Sequence, residues 1–201
     1  MSSALFCFDL DGTVSTTEIL PCIASEIGVA DEIATLTRVT MDGHIAFEPS
    51  FRLRCLILGQ VPPERVREIT EAIPLDEAIL EFIQSAPDQC FLVTGNLDIW
   101  IEPIVQRCGC GLYSSRASVT DGVLKLDSIL HKADAIRDIR ARGFDRIVAI
   151  GDGANDVPML HAADVGVAFG GVHAPAPTAA EAADYIVNEG EALCKLLRAL
   201  S

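Results

Sequence analysis

The sequence contains few positive charges and few aromatic residues, and both shortages narrow what the protein can be. Its 201 residues include 15 Lys or Arg against 29 Asp or Glu, which gives a net charge of −14. Nucleic acids and anionic membrane surfaces bind proteins through clustered Lys and Arg, so neither is expected as a partner. Aromatic residues make up 5% of the chain and hydrophobic residues 50%, so we expect a largely aliphatic core.

Long hydrophobic runs and zinc-type cysteine patterns are also missing. No apolar stretch reaches the roughly 20 residues that a membrane-spanning helix needs. No basic region precedes the short apolar run near the N-terminus, so we expect no signal peptide and a cytoplasmic protein. The cysteines number seven, and Cys108 and Cys110 have no second Cys or His pair at zinc spacing. Reduced thiols are therefore expected.

The order of apolar patterns predicts an α/β fold. Continuous apolar runs at 4–8, 90–93 and 147–150 are typical of buried strands, and helical patterns follow them. Strands that alternate with helices predict a Rossmann-like, doubly wound parallel sheet. Asp121-Gly122 lies between two short strand-like runs and predicts a hairpin. The length suits one domain, with or without an insertion.

The stretch between the first two predicted strands has only helical patterns. Apolar residues recur there at helical spacing, with breaks at Gly28 and at 59–63. Such a stretch is too long for a simple strand-to-helix connection. We therefore expect residues 15–74 to form a small helical cap, inserted into a core made of 1–14 and 75–201.

Two carboxylates, Asp9 and Asp11, directly follow the first predicted strand. In an open α/β sheet, ligands bind beyond the carboxyl ends of the strands. Residues two apart in an extended segment share a face, so both carboxylates are expected to reach one ligand. Paired oxygen donors of this kind suit Mg²⁺ with a phosphate. Taken alone, the stretch could also be a strand followed by an acidic turn.

Two further predicted strands end in residues that suit phosphate chemistry. Thr94 offers a hydroxyl, and Gly95 lets backbone amides approach an anion closely. The third strand runs into Gly151-Asp152-Gly153-Ala154-Asn155-Asp156, and Lys132 lies between these two motifs in the chain. In isolation, Thr94-Gly95 is an ordinary turn and Lys132 a solvated lysine. Together with Asp9 and Asp11, they predict one site for phosphoryl transfer.

The segment at 151–156 also resembles a dinucleotide-binding fingerprint, because Gly-x-Gly follows a strand. That fingerprint needs a third glycine three residues later, where this chain has Asp156. A carboxylate there would repel a pyrophosphate. We therefore interpret the segment as an acidic motif of a phosphoryl-transfer site.

These motifs, in this order, resemble those of the haloacid dehalogenase superfamily of phosphatases, whose first motif matches Asp9-Leu10-Asp11-Gly12-Thr13. The resemblance implies that Asp9 is a nucleophile that becomes an aspartyl phosphate and that Asp11 is a general acid/base. It implies Mg²⁺ held by Asp9, the Asp11 carbonyl and Asp152, with Asp156 in support. The implied phosphate-binding residues are Thr94, Gly95 and Lys132.

Within the superfamily, the chain resembles the phosphoserine phosphatase branch. Glu18 follows Asp9 by nine positions, and Phe-Glu-Pro-Ser-Phe-Arg-Leu-Arg at 47–54 is similar to the branch's Phe-Glu-x-Ser-x-Arg-x-Arg. The resemblance implies that Glu18 and Arg54 bind the ammonium and carboxylate groups of O-phosphoserine. It also implies that Phe47 supplies an apolar wall and that Asn155 lies near the substrate.

The chain departs from that branch in two places. The branch usually has Ser-Gly-Gly-Phe after the second strand, where this chain has Thr94-Gly95-Asn96-Leu97. Thr keeps the hydroxyl, whereas Asn96 and Leu97 change the wall near the substrate. Pro49 within the cap segment is expected to shift Arg54.

The expected function is Mg²⁺-dependent hydrolysis of a small phosphorylated metabolite, O-phosphoserine, to serine and phosphate. Three alternatives remain: hydrolysis of a different small phosphate ester, transfer of the phosphate to a second alcohol, and a non-enzymatic switch that accepts phosphate on Asp9.

Overall fold

The structure, a computed structural model, describes residues 4–144 and 146–201, which contain seven strands and ten α-helices. The strands are β1 (Leu5–Phe8), β2 (Cys90–Leu97), β3 (Gly111–Thr120), β4 (Val123–Ser128), β5 (Ile147–Gly151), β6 (Val165–Phe169) and β7 (Tyr185–Val187). The helices are α1 (Ile19–Ala24), α2 (Ala30–Met41), α3 (Phe47–Leu58), α4 (Pro63–Glu71), α5 (Glu77–Ser85), α6 (Asp98–Cys108), α7 (Lys132–Ala141), α8 (Val157–Ala162), α9 (Pro177–Ala182) and α10 (Gly190–Leu200). None of these helices could cross a bilayer, being too short or too polar.

The seven strands form one sheet in the order β4-β3-β2-β1-β5-β6-β7. All neighbours are parallel except β3 and β4, which form the predicted hairpin. Asp121 and Gly122 have φ values of 52° and 76°, as a tight hairpin turn requires. The α/β fold is therefore confirmed. The chain leaves β1 for β2 on one side and later adds β5 on the other, which makes the end of β1 a switch point where ligands bind in such sheets.

Strand β1 is apolar throughout because both faces of the sheet are covered. Phe6 and Phe8 pack into one cluster with α5, α6 and α10, whereas Leu5 and Cys7 pack into a second cluster with α7, α8 and α9. This alternation follows the two-residue period of a strand. The burial of β1 on both faces fixes the position at which Asp9 leaves the sheet.

Helices α1 to α4 fill the stretch between the turn after β1 and the start of α5. The two ends of this stretch lie side by side, because the Thr16 N–H donates to the Pro74 carbonyl at 3.0 Å and the Asp76 N–H to the Val14 carbonyl at 2.9 Å. Helix α3 packs against β4, and α4 packs against α6. The predicted boundaries of 15–74 as a separate cap stay a prediction.

Pro49 does not interrupt α3. It is the third residue of the helix, where the backbone N–H has no carbonyl partner within the helix in any case. The helix continues to Leu58, and Arg54 lines the cavity described below. The proline therefore leaves the helix intact, and the expected shift of Arg54 stays a prediction.

All seven cysteines are free thiols. Five of them are buried, and burial raises the pKa of the Cys55 and Cys90 thiols to about 12. At neutral pH these thiols are protonated, which makes them poor nucleophiles and poor metal ligands. Cys108 and Cys110 pack against the core cluster, which agrees with a structural interpretation.

Candidate active site

The three strand ends named above lie side by side at one edge of the sheet. Because β1 pairs with both β2 and β5, Asp9, Thr94 and Asp152 converge at the carboxyl ends of these strands. Helices α2 and α3 cover them and leave a cavity of about 40 Å³. Residues that line this cavity include Asp9, Asp11, Glu18, Phe47, Arg54, Thr94, Gly95, Asn96 and Asn155.

A tight turn after β1 separates the two carboxylates of the first motif. Gly12 has φ +70°, and a Cβ there would lie 2.9 Å from Asp152 Oδ2, so glycine fits this position best. The turn directs the Asp11 side chain towards α1, whose first N–H, that of Ile19, donates to Asp11 Oδ1 at 2.9 Å. Asp9 and Asp11 nevertheless line the same cavity, so the expectation that both carboxylates reach one ligand stays a prediction. The metal contact predicted for the Asp11 backbone carbonyl also stays a prediction.

Lys132, at the start of α7, is buried between two carboxylates. Its Nζ lies 2.5 Å from Asp9 Oδ1 and 2.5 Å from Asp156 Oδ1. Burial alone would lower the pKa of Lys132, but Asp156 and Asp9 together raise it above its usual value. The lysine is thus charged, and the alternative of a solvated surface lysine is excluded by its burial.

Asp156 uses both carboxylate oxygens within the protein. Oδ1 pairs with Lys132, and Oδ2 accepts the N–H groups of Asp152 and Gly153 at 3.1 and 3.0 Å. A Cβ at Gly151 would lie 2.4 Å from the Asp156 carboxyl carbon, so this glycine admits the side chain. Asp156 therefore holds the turn after β5 and positions Lys132.

Asp152 has an oxygen that accepts no hydrogen bond from the protein, although the Nε2 atom of His173 lies 3.2 Å from it. Its Oδ1 accepts the Thr13 hydroxyl at 3.4 Å, whereas the buried Oδ2 has no hydrogen-bond partner. Burial, followed by the charge of Asp156, raises the pKa of Asp152 well above its usual value. One oxygen each of Asp9, Asp152 and Asp156 lie within 4.8 Å of one another. An orphaned carboxylate oxygen in a buried acidic cluster is costly unless a cation binds it, so these residues fit a divalent metal ion.

Asp11 is suited to exchange a proton. Burial and the nearby charge of Glu18 raise the pKa of Asp11 to about 7. Its second oxygen, Oδ2, accepts a hydrogen bond from Asn96 Nδ2 at 2.5 Å. A carboxyl group with a pKa near neutrality can both donate and accept a proton at the working pH of most enzymes.

Arg54 reaches the cavity from α3. Its Nη1 donates to the Thr37 hydroxyl at 3.1 Å, and its guanidinium lies 5.9 and 5.8 Å from the ring centres of Phe47 and Phe51. The other terminal nitrogen, Nη2, is buried and has no partner. Phe47 in turn packs on Gly95, where a Cβ would lie 2.2 Å from the ring. Phe47 thus lines the cavity with an apolar face, and its role as a wall for the substrate stays a prediction.

Four buried side-chain atoms in the described residues lack a hydrogen-bond partner, and all four belong to this site. They are Glu18 Oε1, Arg54 Nη2, Asn96 Oδ1 and Asp152 Oδ2. Folded proteins satisfy nearly all of their buried polar groups. The concentration of unsatisfied atoms around one cavity therefore indicates a ligand with one acceptor for Arg54, donors for Glu18 and Asn96, and a cation for Asp152.

Sequence reasoning missed His173 and the hydrogen bond of Asn96. His173 follows β6, and its Nε2 lies 3.2 Å from Asp152 Oδ2 and 3.6 Å from Glu18 Oε1. The nearby Glu18 carboxylate raises the pKa of His173. Nothing in the Ala- and Pro-rich sequence around His173 indicates this position, whereas the departure from the branch pattern at Asn96 was a usable signal.

Comparison with known proteins gives matches across the chain. A family model of haloacid dehalogenase-like hydrolases matches residues 6–161. The phosphoserine phosphatase of Methanocaldococcus jannaschii is 31% identical over 178 residues, which cover 82% of this chain and 84% of that protein. The phosphoserine phosphatase of Halobacterium salinarum is 30% identical over 207 residues, which cover 96% of each.

Solved structures give the same result. A phospho-aspartyl intermediate analogue of phosphoserine phosphatase superimposes with a TM-score of 0.85 at 29% identity and covers 99% of both chains. A substrate-bound phosphoserine phosphatase complex superimposes with a TM-score of 0.85 at 27% identity, with the same coverage. The similarity thus includes both the sheet and the helices over its edge.

Proposed function

The chain belongs to the haloacid dehalogenase-like hydrolases, and from this membership we propose that it hydrolyses O-phosphoserine to serine and phosphate through a phosphorylated Asp9. The observation that carries the proposal is the set of unsatisfied atoms around the cavity. Arg54 Nη2 offers a donor to a carboxylate and Glu18 Oε1 an acceptor to an ammonium group. These are the two charged groups of an amino acid, and the neighbouring acidic cluster suits its phosphate. The expected cytoplasmic location stays a prediction.

We propose that the cation is Mg²⁺, held by Asp9, Asp152 and the backbone carbonyl of Asp11. A hard cation that prefers carboxylates and phosphate oxygens matches this donor set. When bound, it would offset the repulsion between the substrate phosphate and Asp9. Lys132 contributes a fixed positive charge next to Asp9 in the same site.

In the proposed first step, a carboxylate oxygen of Asp9 attacks phosphorus while the bond from phosphorus to the serine oxygen breaks. Asp11 donates its proton to that leaving oxygen. In the second step, Asp11 takes a proton from water, the water oxygen attacks phosphorus, and the bond to Asp9 breaks. The hydroxyl of Thr94 and the backbone of Gly95 bind the phosphate oxygens in this proposal, and Asn155 lies near the substrate.

Residues 15–74 act as a lid in this proposal. The cavity, at about 40 Å³, is small for a whole O-phosphoserine. Phe47 and Arg54 on α3 line it together with Asp9. We infer that these helices move away to admit substrate and return to exclude water during phosphoryl transfer.

The test compares three phosphate esters: O-phosphoserine, O-phosphoethanolamine, which lacks the carboxylate, and 3-phosphonooxypropanoate, which lacks the ammonium group. Each buried charge-assisted hydrogen bond is worth about 1.5–3 kcal/mol, so we expect kcat/KM for O-phosphoserine to exceed that for either analogue by roughly 10- to 100-fold. Equal values for all three esters would overturn the proposed substrate.

Arg54→Ala identifies the carboxylate site. We expect it to lower kcat/KM for O-phosphoserine and to leave O-phosphoethanolamine nearly unchanged. Arg52→Ala is a matched control, because Arg52 lies on the same helix but forms an exposed ion pair with Glu48 at 2.8 Å. An equal loss on all three esters in Arg54→Ala would show that Arg54 does not bind the carboxylate.

A further inference from the structure

The Asn96 side chain lies in the site, but the proposed reaction steps give it no role. Pairing between β2 and β3 changes register between Thr94 and Leu97, so Gly95 and Asn96 are not paired with β3. Irregularities of this kind redirect side chains at strand ends. The Asn96 side chain lines the cavity with Glu18 and is 3% exposed. Its backbone N–H donates to the Thr94 hydroxyl at 3.1 Å, which holds the segment in place.

The contact with Asp11 determines which end of the Asn96 amide remains free. Asp11 Oδ2 accepts a hydrogen bond from the amide nitrogen at 2.5 Å. The nitrogen therefore faces Asp11, which leaves Oδ1 for another partner. Oδ1 is buried and unsatisfied, and such an acceptor costs free energy unless a donor reaches it.

Two acceptors that line the cavity, Asn96 Oδ1 and Glu18 Oε1, form no hydrogen bond, and His173 Nε2 lies 3.6 Å from the second. An ammonium group has three N–H donors and can satisfy both, whereas a hydroxyl has a single donor. A neutral amide oxygen next to a carboxylate also adds an acceptor without adding a second negative charge beside Asp11. The pair is therefore suited to a primary ammonium group.

We propose that Asn96 is a specificity-determining residue whose Oδ1 accepts a hydrogen bond from the substrate ammonium group, beside Glu18. This inference rests on the proposed function and deepens it. It assigns to the site a preference for phosphate esters that carry a primary ammonium group over deaminated or hydroxylated analogues. Asn96 shares this selection with Glu18, and the hydrogen bond from its Nδ2 to Asp11 is a separate role.

The two roles of Asn96 can be distinguished by comparing esters with and without an ammonium group. Loss of the contact with Asp11 slows the reaction of every ester equally, because proton transfer to the leaving oxygen is common to all of them. Loss of an ammonium contact affects only the esters that carry an ammonium group, and it raises their KM. The ratio of kcat/KM for O-phosphoserine to that for 3-phosphonooxypropanoate therefore reports the Oδ1 contact alone.

We expect Asn96→Ala to lower this ratio about tenfold, mainly through a higher KM for O-phosphoserine, in line with the loss of one hydrogen bond to a charged group. Asn96→Gly is a second truncation in case the first variant does not fold, and it must lower the ratio similarly. Asn188→Ala, at an exposed asparagine outside the site, is the control and should leave the ratio unchanged.

A ratio that stays at the wild-type value in both truncations, while the rates on all esters fall together, would overturn the inference and leave Asn96 as a positioning residue for Asp11. Failure of the proposed function looks different. In that case the wild-type protein itself shows no preference for O-phosphoserine over 3-phosphonooxypropanoate.

Discussion

Lys132 supplies the positive charge that offsets the buried carboxylates of Asp9 and Asp156. Its Nζ lies between Asp9 and Asp156, and all three side chains are almost completely buried. Lys132→Met keeps much of the side-chain volume but leaves both carboxylates without their counter-charge. Breaking a buried ion pair costs about 3–5 kcal/mol, so we expect the free energy of unfolding to fall by that amount.

Urea unfolding in the presence of EDTA measures this change. Lys195→Met is the control, because Lys195 pairs with Glu191 only at the surface, at 4.0 Å. Exposed pairs contribute little, so the control should unfold like wild type. If Lys132→Met also unfolds like wild type, the charge of Lys132 does not stabilise the cluster.

At the residue scale, the sequence predicted the residues that stand in motifs. Asp9, Asp152 and Lys132 come together as predicted because their positions follow from the strands and the helix that carry them. The contact of Asn96 with Asp11 joins residues 85 positions apart and depends on the register change at the end of β2. The approach of His173 to Asp152 depends on how a loop folds back. No local pattern encodes either contact.

At the element scale, Gly95 is where α3 meets the end of β2. A Cβ at Gly95 would lie 2.2 Å from the Phe47 ring, so Gly95→Ala must displace that ring in the cavity wall. We expect kcat/KM for O-phosphoserine to fall by roughly tenfold or more, since small misplacements in an active site are costly.

A double-mutant cycle with Phe47→Ala tests this contact. Once the Phe47 ring is gone, Gly95→Ala should cause little further loss, because the two substitutions act on the same contact. Losses that simply multiply in the double variant would show that Gly95 acts on something other than Phe47, such as the phosphate itself.

Most element types were predicted correctly, and β3 shows where the pattern fails. The strand-like run before Asp121-Gly122 is short in the sequence, but the structure has a ten-residue strand there, Gly111–Thr120. Polar residues within the strand hide its length: Ser115 is fully buried, and its hydroxyl accepts the Leu130 N–H at 3.0 Å. A buried serine with a partner elsewhere in the chain looks like a loop residue in the sequence.

At the scale of the whole molecule, the order of the strands in the sheet brings the site residues together. The sequence alone did not predict that order. The alternation of strands and helices predicted a parallel α/β sheet. It did not say that β1 lies between β2 and β5. That arrangement brings three separate motifs to one edge of the sheet. The sequence predicted a single site because all three motifs follow predicted strands, and the resemblance to a family supported that prediction.

The acidic cluster links metal binding to the stability of the whole chain. The net charge of −14 and the unsatisfied oxygen of Asp152 both favour cation binding to the folded state. At a Mg²⁺ concentration about 100 times the dissociation constant, binding stabilises the fold by about 2.7 kcal/mol. For a chain of this size this corresponds to a rise in Tm of roughly 5–10 °C.

Thermal unfolding with EDTA or with MgCl₂, at matched ionic strength, measures this rise. Asp152→Asn should remove most of it, because the amide replaces a ligand oxygen with a donor group. An equal rise in Tm in wild type and Asp152→Asn would mean that Mg²⁺ stabilises the chain elsewhere, for example by screening its surface charge.

The most direct test of the central claim is an acid-quenched single turnover with O-phosphoserine labelled with ³²P in its phosphate. We predict that wild-type protein with Mg²⁺ becomes transiently labelled on the peptide that contains Asp9, that the label then appears as inorganic phosphate, and that Asp9→Asn shows neither. Phosphate release without any label on the protein would contradict the role of Asp9 as nucleophile. A stable label without release would indicate a phospho-acceptor switch, and no label and no release would contradict O-phosphoserine as the substrate.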